Sequence, residues 1–163
     1  MPATEKDLFA RFAELGIVVE THRHEPVFTV AEAKALRGKL PGAHTKNLFL
    51  KDKKGVFWLV VAIEDRRIDL KEVRHRIGSA PLSFAGADAL REVLGVEPGS
   101  VTPFALINDE GRRTRVVLDA QMMTAQPVLN FHPLANTATT AIRPADLLAF
   151  IRTCGHAPQI VHL

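Results

Sequence analysis

The segment that most constrains the fold runs from His44 to Val61, where two strand-like stretches flank a tight turn. From His44 to Lys51 the residues alternate, with Lys46, Leu48 and Leu50 on one face and Thr45, Asn47 and Phe49 on the other. Asp52-Lys53-Lys54-Gly55 is turn chemistry, and the β-rich Val56-Phe57-Trp58-Leu59-Val60-Val61 returns as the partner strand. The sequence therefore contains a β-hairpin, and the rest of the chain must be placed around it.

Upstream, Thr4 is positioned to cap a helix with Asp7 three residues on. Leu8, Phe12 and Leu15 share one face of it, and Gly16 closes it. Ile17 to Glu20 is a short β-prone run. Thr29-Val30-Ala31-Glu32 has capping-box spacing, which predicts a second helix to about Arg37, followed by a Leu40-Pro41-Gly42 loop. Downstream, Asp69 caps a helix through Ile77, and Ala87 to Leu94 forms another that stops at Gly95. A Pro/Gly-rich loop spans Glu97 to Pro103. A second hairpin is expected from Phe104 to Ile107 and Val116 to Leu118, with further strands at Val128 to Phe131 and Thr137 to Ile142. A last helix begins at Pro144 and ends near Gly155. Strands and helices mix without strict alternation, repeat or linker, so residues 1–163 are expected to form one mixed α/β domain.

The longest apolar run, Val56 to Ile63, is far shorter than the roughly 20 residues of a membrane-spanning helix. Glu5, Lys6 and Asp7 precede any apolar stretch, the wrong layout for a secretory signal. With one cysteine, Cys154, no internal disulfide can form, and a cytoplasmic location is expected. The formal net charge of +3 is unevenly placed. Lys34, Arg37, Lys39, Lys46, Lys51, Lys53 and Lys54 face only Asp52 between positions 34 and 54, a local charge of +6. The remainder sums to −3, so this segment is either a polyanion-binding face or a solvated lysine-rich hairpin.

Glycine-rich nucleotide motifs are absent, since Gly38-Lys39 lacks the upstream glycine of a phosphate loop. His22 and His24 could share a strand face, but no third metal ligand follows at a recognisable spacing, and no metal or cofactor is expected. Cys154 has no nucleophile signature around it, and Thr102 stands where a nucleophile elbow at Ser100 requires glycine. Two segments carry chemistry beyond packing. In Thr45-Lys46-Asn47 a lysine opens a strand with its stem against apolar neighbours, suited to grip an anion or polarise a carbonyl, or simply to snorkel. Asn130-Phe131-His132-Pro133-Leu134-Ala135-Asn136-Thr137 gathers a His, amides and a hydroxyl around a rigid Pro, as a site or as a polar turn.

Together these pieces resemble the YbaK/prolyl-tRNA-editing (ProX) family, whose domain is also the editing insertion of bacterial prolyl-tRNA synthetases. The resemblance rests on residues 24–33 (His-Glu-Pro-Val-Phe-Thr-Val-Ala-Glu-Ala), residues 45–52 (Thr-Lys-Asn-Leu-Phe-Leu-Lys-Asp), the Gly99-Ser100-Val101-Thr102-Pro103 loop and the 132–137 segment, in the family's order. It implies a strongly curved mixed sheet, or partial barrel, surrounded by helices. It also implies a deacylase of mischarged tRNA, with the Lys46-Asn47 pair pointing to the branch that removes alanine from proline tRNA. The cysteine-removing sister branch and a non-catalytic tRNA-binding module are the alternatives.

By that resemblance Lys46, Gly99 and His132 are the catalytic positions. Lys46 binds the terminal adenosine or its phosphate, and the loop from Gly99 through Ser100, Val101 and Thr102 to Pro103 presents backbone N–H groups to the ester carbonyl. Thr45, Asn47, Asn136 and Thr137 are expected to touch substrate. Leu129, Phe131 and the His132 ring are expected walls of a pocket that admits alanine and excludes proline. Lys39, Lys51, Lys53 and Lys54 are expected at acceptor-stem phosphates. The implied partner is the acceptor end of mischarged proline tRNA, with prolyl-tRNA synthetase or an elongation factor as transient partners and no membrane.

Overall fold

The computed structural model describes residues 2–26 and 42–163. The expected helix over 29–37, the Leu40-Pro41 step and Lys39 lie outside these residues. Helix α1 (Glu5–Glu14) starts where expected: the Thr4 hydroxyl accepts from the Asp7 N–H, and the Asp7 carboxylate accepts from the Thr4 N–H. Leu8 and Phe12 of α1 are buried, whereas Leu15 falls past its end and is exposed. The hairpin of the sequence is β2 (Ala43–Asp52) and β3 (Phe57–Ile63), paired antiparallel from Thr45↔Ile63 to Lys51↔Phe57.

Around it lie β1 (Glu20–Arg23), α2 (Leu70–Ile77), β4 (Leu82–Phe84), α3 (Ala87–Leu94), a short 3₁₀ turn (Pro103–Asn108) and β5 (Thr114–Asp119). The chain continues through α4 (Ala120–Ala125), β6 (Leu129–Phe131), β7 (Ala138–Ile142), α5 (Pro144–Thr153) and β8 (Gln159–Val161). The strands form one mixed sheet in the order β1-β7-β6-β2-β3-β5-β8, with β4 joined to β2. No helix among the described residues is long and apolar enough to cross a membrane.

The sheet is covered on both faces, which explains the unbroken apolar run of β3. Phe57, Leu59 and Val61 enter the main core with Phe12, Phe104, Phe131 and Phe150, while Trp58 and Val60 enter a second cluster with Leu50 and Val73 and Ile77 of α2. The expected β1 begins at Glu20, later than Ile17, because it is the 20–23 segment that pairs with β7. The second hairpin does not form. Thr102 caps and Pro103 opens the 3₁₀ turn, with the Phe104 N–H donated to the Thr102 hydroxyl at 3.3 Å. Phe104, Ala105 and Leu106 are consecutively buried, so their apolar run carries no strand periodicity. β5 pairs parallel with β3 and β8 instead.

Two buried aspartates fix the turns that lead into β3 and β5. Asp52 accepts from the N–H of Lys54 (2.9 Å) and Val56 (3.0 Å) and from the Trp58 indole N–H (3.1 Å). Asp109 accepts from the N–H of Arg113 and Thr114 and from His156 Nε2 at 3.0 Å. Burial pushes both carboxyl groups up, but these donors outweigh it and hold both below 3.8. Their stabilisation is therefore complete above pH 3.8 and is lost as pH falls through the lower folded values. Replacing Asp52 by Ala leaves buried donors unpaired and should cost about 2–4 kcal/mol in urea unfolding at neutral pH; a loss below about 0.5 kcal/mol would contradict this role.

Candidate active site

One edge of β2 defines the site. Hydrogen bonds from Glu64 N–H to His44 O and from Asp52 N–H to Val56 O fix the even-numbered residues of β2 as those bonded to β3. The backbone groups of Ala43, Thr45, Asn47 and Phe49 consequently face the other edge. That edge is taken by β6 at Ala43 and His44, in parallel, and by β4 from Leu50 to Asp52. Between them, residues 45–48 have no strand partner on this edge among the described strands. Thr45, Lys46 and Asn47 lie where β2 and β6 part. Gly42 (φ +89°) leads into the paired segment, and a β-carbon there would lie 3.0–3.2 Å from Asn130 and Val128 atoms.

The Thr45 hydroxyl donates to the Asn130 carbonyl at 2.7 Å. Its one proton is thereby committed, so it can only accept from Asn47 Nδ2, at 3.4 Å. This fixes the amide orientation and leaves Asn47 Oδ1 buried with no hydrogen-bond partner among the described residues. A buried acceptor left unmade costs about 1–3 kcal/mol, which a donor on a ligand would recover.

His132 follows β6 in the turn to β7, where Leu134 adopts a left-handed conformation (φ 72°). Its Nδ1 donates to the Ala138 carbonyl at 2.9 Å, so in the neutral ring Nε2 holds the lone pair. Burial lowers its pKa below 6.5, opposed by the Ala138 hydrogen bond, and the neighbouring charge of His24 lowers it further. The two rings lie 6.2 Å apart. His24 is itself held by Thr139 and by the Glu25 carbonyl, each at 2.8 Å. His24 and Thr139 thus support the site without having been singled out for it. Only their pairing across β1 and β7 reveals the role, and no local motif encodes that.

The Gly99 loop meets the His132 turn through Asn136, whose Nδ2 lies 3.8 Å from where a Gly99 β-carbon would stand. Gly99 has φ +91°. Within the loop Ser100 N–H is already donated to the Glu97 carbonyl, and Pro103 has none. The N–H groups of Gly99, Val101 and Thr102 have no hydrogen-bond partner among the described residues. Ser100, Thr102 and Pro103 are buried and set the loop's shape.

Lys46 shares a sheet face with Leu48 and Leu50, opposite Ala62, and forms no ion pair among the described residues. The parallel register Ala43↔Leu129, His44↔Asn130, carried two residues further, puts it level with His132. Leu129 and Phe131 are 0% and 2% exposed, and Phe131 packs edge-on against Phe104 at 5.5 Å; both belong to the core and offer almost no surface to a substrate. Thr137 is carried by the same turn, its carbonyl accepting from His24 N–H at 2.9 Å. Lys51, Lys53 and Lys54 are exposed at the far end of β2, the last two about 20 Å from Lys46 at 3.3 Å per residue. Burial raises the Cys154 thiol to about 11, which removes it as a nucleophile. Among the described residues no group of three or more His, Cys, Asp or Glu side chains gathers as a metal site.

The Thr45–Asn47 segment and the His132 turn thus stand where β2 and β6 part, and the Gly99 loop approaches that turn through Asn136. The chain belongs to the aminoacyl-tRNA editing domain family, whose profile matches residues 24–150. It is 41% identical to prolyl-tRNA synthetase associated domain-containing protein 1 of Bos taurus, over 93% of this chain and 91% of that protein. It is 35% identical to the prolyl-tRNA editing protein ProX of Acetoanaerobium sticklandii, over 96% and 95%. Its fold matches a solved candidate trans-editing enzyme for prolyl tRNA synthetase with TM-score 0.71 and 20% identity, covering 100% of this chain and 99% of the other.

The assigned tautomer and burial of His132 predict that its ring titrates below pH 6.5. An NMR titration of its C2 proton checks this; a midpoint at or above 6.5 would contradict the geometry.

Proposed function

We propose that this protein is a deacylase that hydrolyses alanine mischarged onto proline tRNA. The observation that carries the reading is the buried Oδ1 of Asn47, unpartnered among the described residues, an acceptor awaiting a ligand donor at the position next to Lys46 in the strand. The α-ammonium of an aminoacyl ester is such a donor, and charge assistance makes the bond strong. Lys46 grips the phosphate or adenosine of the tRNA end and fixes the ester in the fork. The N–H groups of Gly99, Val101 and Thr102 face the carbonyl oxygen, on which negative charge develops in the transition state.

Water attacks the carbonyl carbon, the bond from that carbon to the ribose 3′ oxygen breaks, and a proton passes to the departing oxygen. The vicinal 2′-hydroxyl relays this proton from the attacking water, whose other O–H donates to His132 Nε2. No covalent nucleophile is needed, in keeping with the high thiol pKa of Cys154. Selectivity is steric. With Leu129 and Phe131 withdrawn into the core, the His132 ring is the wall left to exclude the proline ring, because attraction to single methylenes discriminates by only about 1–3 kcal/mol.

Single-turnover release of free amino acid from alanyl-, cysteinyl- and prolyl-charged proline tRNA tests the reading. Alanine should be released fastest and proline slowest, with Lys46→Ala slowing alanine release by about 100-fold or more. Faster cysteine release would assign the sister specificity. No release, or an unchanged Lys46→Ala rate, would overturn the proposed activity or the lysine's role respectively.

A charge-based prediction concerns the fork itself. Asn47→Ala removes the buried acceptor and should raise KM for alanyl-tRNA by about 10-fold while leaving thermal stability unchanged or slightly higher, since the orphaned oxygen goes with it. A drop in Tm with unchanged KM would make Asn47 a packing residue.

A further inference from the structure

Phe84 is the one large aromatic ring that the fold leaves in solvent among the described residues, 66% exposed at the end of β4. Its position is specific. Phe84 is the cross-strand partner of Leu50, which is itself paired with Trp58, so the three side chains form one row on the same sheet face. Leu50 and Trp58 are 0% and 1% exposed beneath Val73 and Ile77 of α2, and the row emerges from that cover at Phe84. Lys46 lies on this same face, four residues back along β2, or about 13 Å at 3.3 Å per residue.

Cations surround the ring's strand. Lys51, the exposed partner of Ser83, holds its ammonium over the Phe57 ring on the opposite face, 5.7 Å from the centroid, whereas Lys53 donates its N–H to the Pro81 carbonyl where β4 begins. Lys54 follows in the same turn, and the acid among them, Asp52, is buried and committed to Trp58 and to the turn. An apolar ring exposed on an edge strand is a liability that folds ordinarily avoid. Set among lysines, it has the composition of a surface for single-stranded nucleic acid, where lysines follow the backbone and an aromatic face stacks a base.

We infer that Phe84 is a stacking platform for a nucleobase in the unpaired 3′ end of the tRNA, upstream of the adenosine held at Lys46. Stacked nucleotides advance about 3.4 Å each, so a base three or four nucleotides before the terminus reaches the 13 Å separation between Lys46 and Phe84. The exposed lysines of the β2–β3 turn then lie further along the same path, where the paired stem begins. The inference rests on the tRNA reading of the site but assigns a contact outside the reacting centre.

The test measures binding and hydrolysis separately. Fluorescence anisotropy compares an uncharged acceptor-stem hairpin RNA that has an unpaired 3′ end with a blunt hairpin lacking it. Phe84→Ala and Phe84→Leu should weaken binding of the first by about 10-fold and leave the blunt hairpin within about twofold, while Phe84→Trp retains wild-type binding. In hydrolysis, Phe84→Ala should raise KM for alanyl-tRNA without changing the rate on alanyl-adenosine, which has no upstream base. Unchanged RNA binding, or equal weakening of both hairpins, would overturn the stacking role. If the variants lose overhang binding while the wild-type protein releases no amino acid, the stacking role stands and the deacylase reading fails. If amino acid is released and the variants bind normally, the reverse holds.

Discussion

The structure depends on the division of one strand edge. β2 gives its whole length to β3 on one side, but on the other it is shared between β6 at its start and β4 at its end. A strand edge that is paired, opened and paired again leaves residues 45–48 without a strand partner on that edge among the described strands. Thr45, Lys46 and Asn47 belong to that stretch. The cost is visible as an amide oxygen that nothing among the described residues satisfies. Stability given up at such a point is what a binding site requires, because a ligand can recover it.

The remaining parts fix the walls of the fork. Asp52 locks the hairpin turn, and the Trp58 it holds anchors the second cluster under α2. The aromatic group of Phe12, Phe104, Phe131 and Phe150 ties α1, the 3₁₀ turn, β6 and α5 into one core. That core positions the Gly99 loop, because Phe104 follows it directly and meets Phe131, one residue before His132. The loop and the histidine turn are thus registered to each other by packing, and Asn136 closes the distance between them. The imidazole is oriented by one carbonyl and kept neutral by burial, with a second imidazole as its neighbour.

Much of this was legible in the sequence, and the reasons for the exceptions are physical. The hairpin, the capped helices and the Thr45-Lys46-Asn47 and His132 segments carry strong local signals: alternation, caps, a turn tetrad and polar clustering. The Phe104–Ile107 segment was misread as a strand because a short run buried on every side has no period. β4, β8 and α4 were not anticipated, since three-residue strands and a six-residue helix barely exceed noise in any pattern. Leu129 and Phe131 look like pocket walls beside His132 in the sequence, but which face of β6 meets the core depends on its register with β2. The partnership of His24 with Thr139, and the exposure of Phe84, belong to the tertiary structure alone. Lys51, Lys53 and Lys54 are exposed, while Lys34, Arg37 and Lys39 fall outside the described residues.

The central claim is that the fork between β2 and β6 receives the aminoacyl end of a tRNA. A non-hydrolysable amide analogue of alanyl-adenosine, titrated into isotope-labelled protein and followed by NMR, tests this without requiring turnover. The account predicts saturable shifts concentrated at the Asn47 side-chain amide, the Lys46 and His132 side chains and the backbone amides of Gly99 and Val101, with the Asn47 signals moving most. Saturable shifts that leave these groups unmoved, or no binding of the analogue at all, would contradict it.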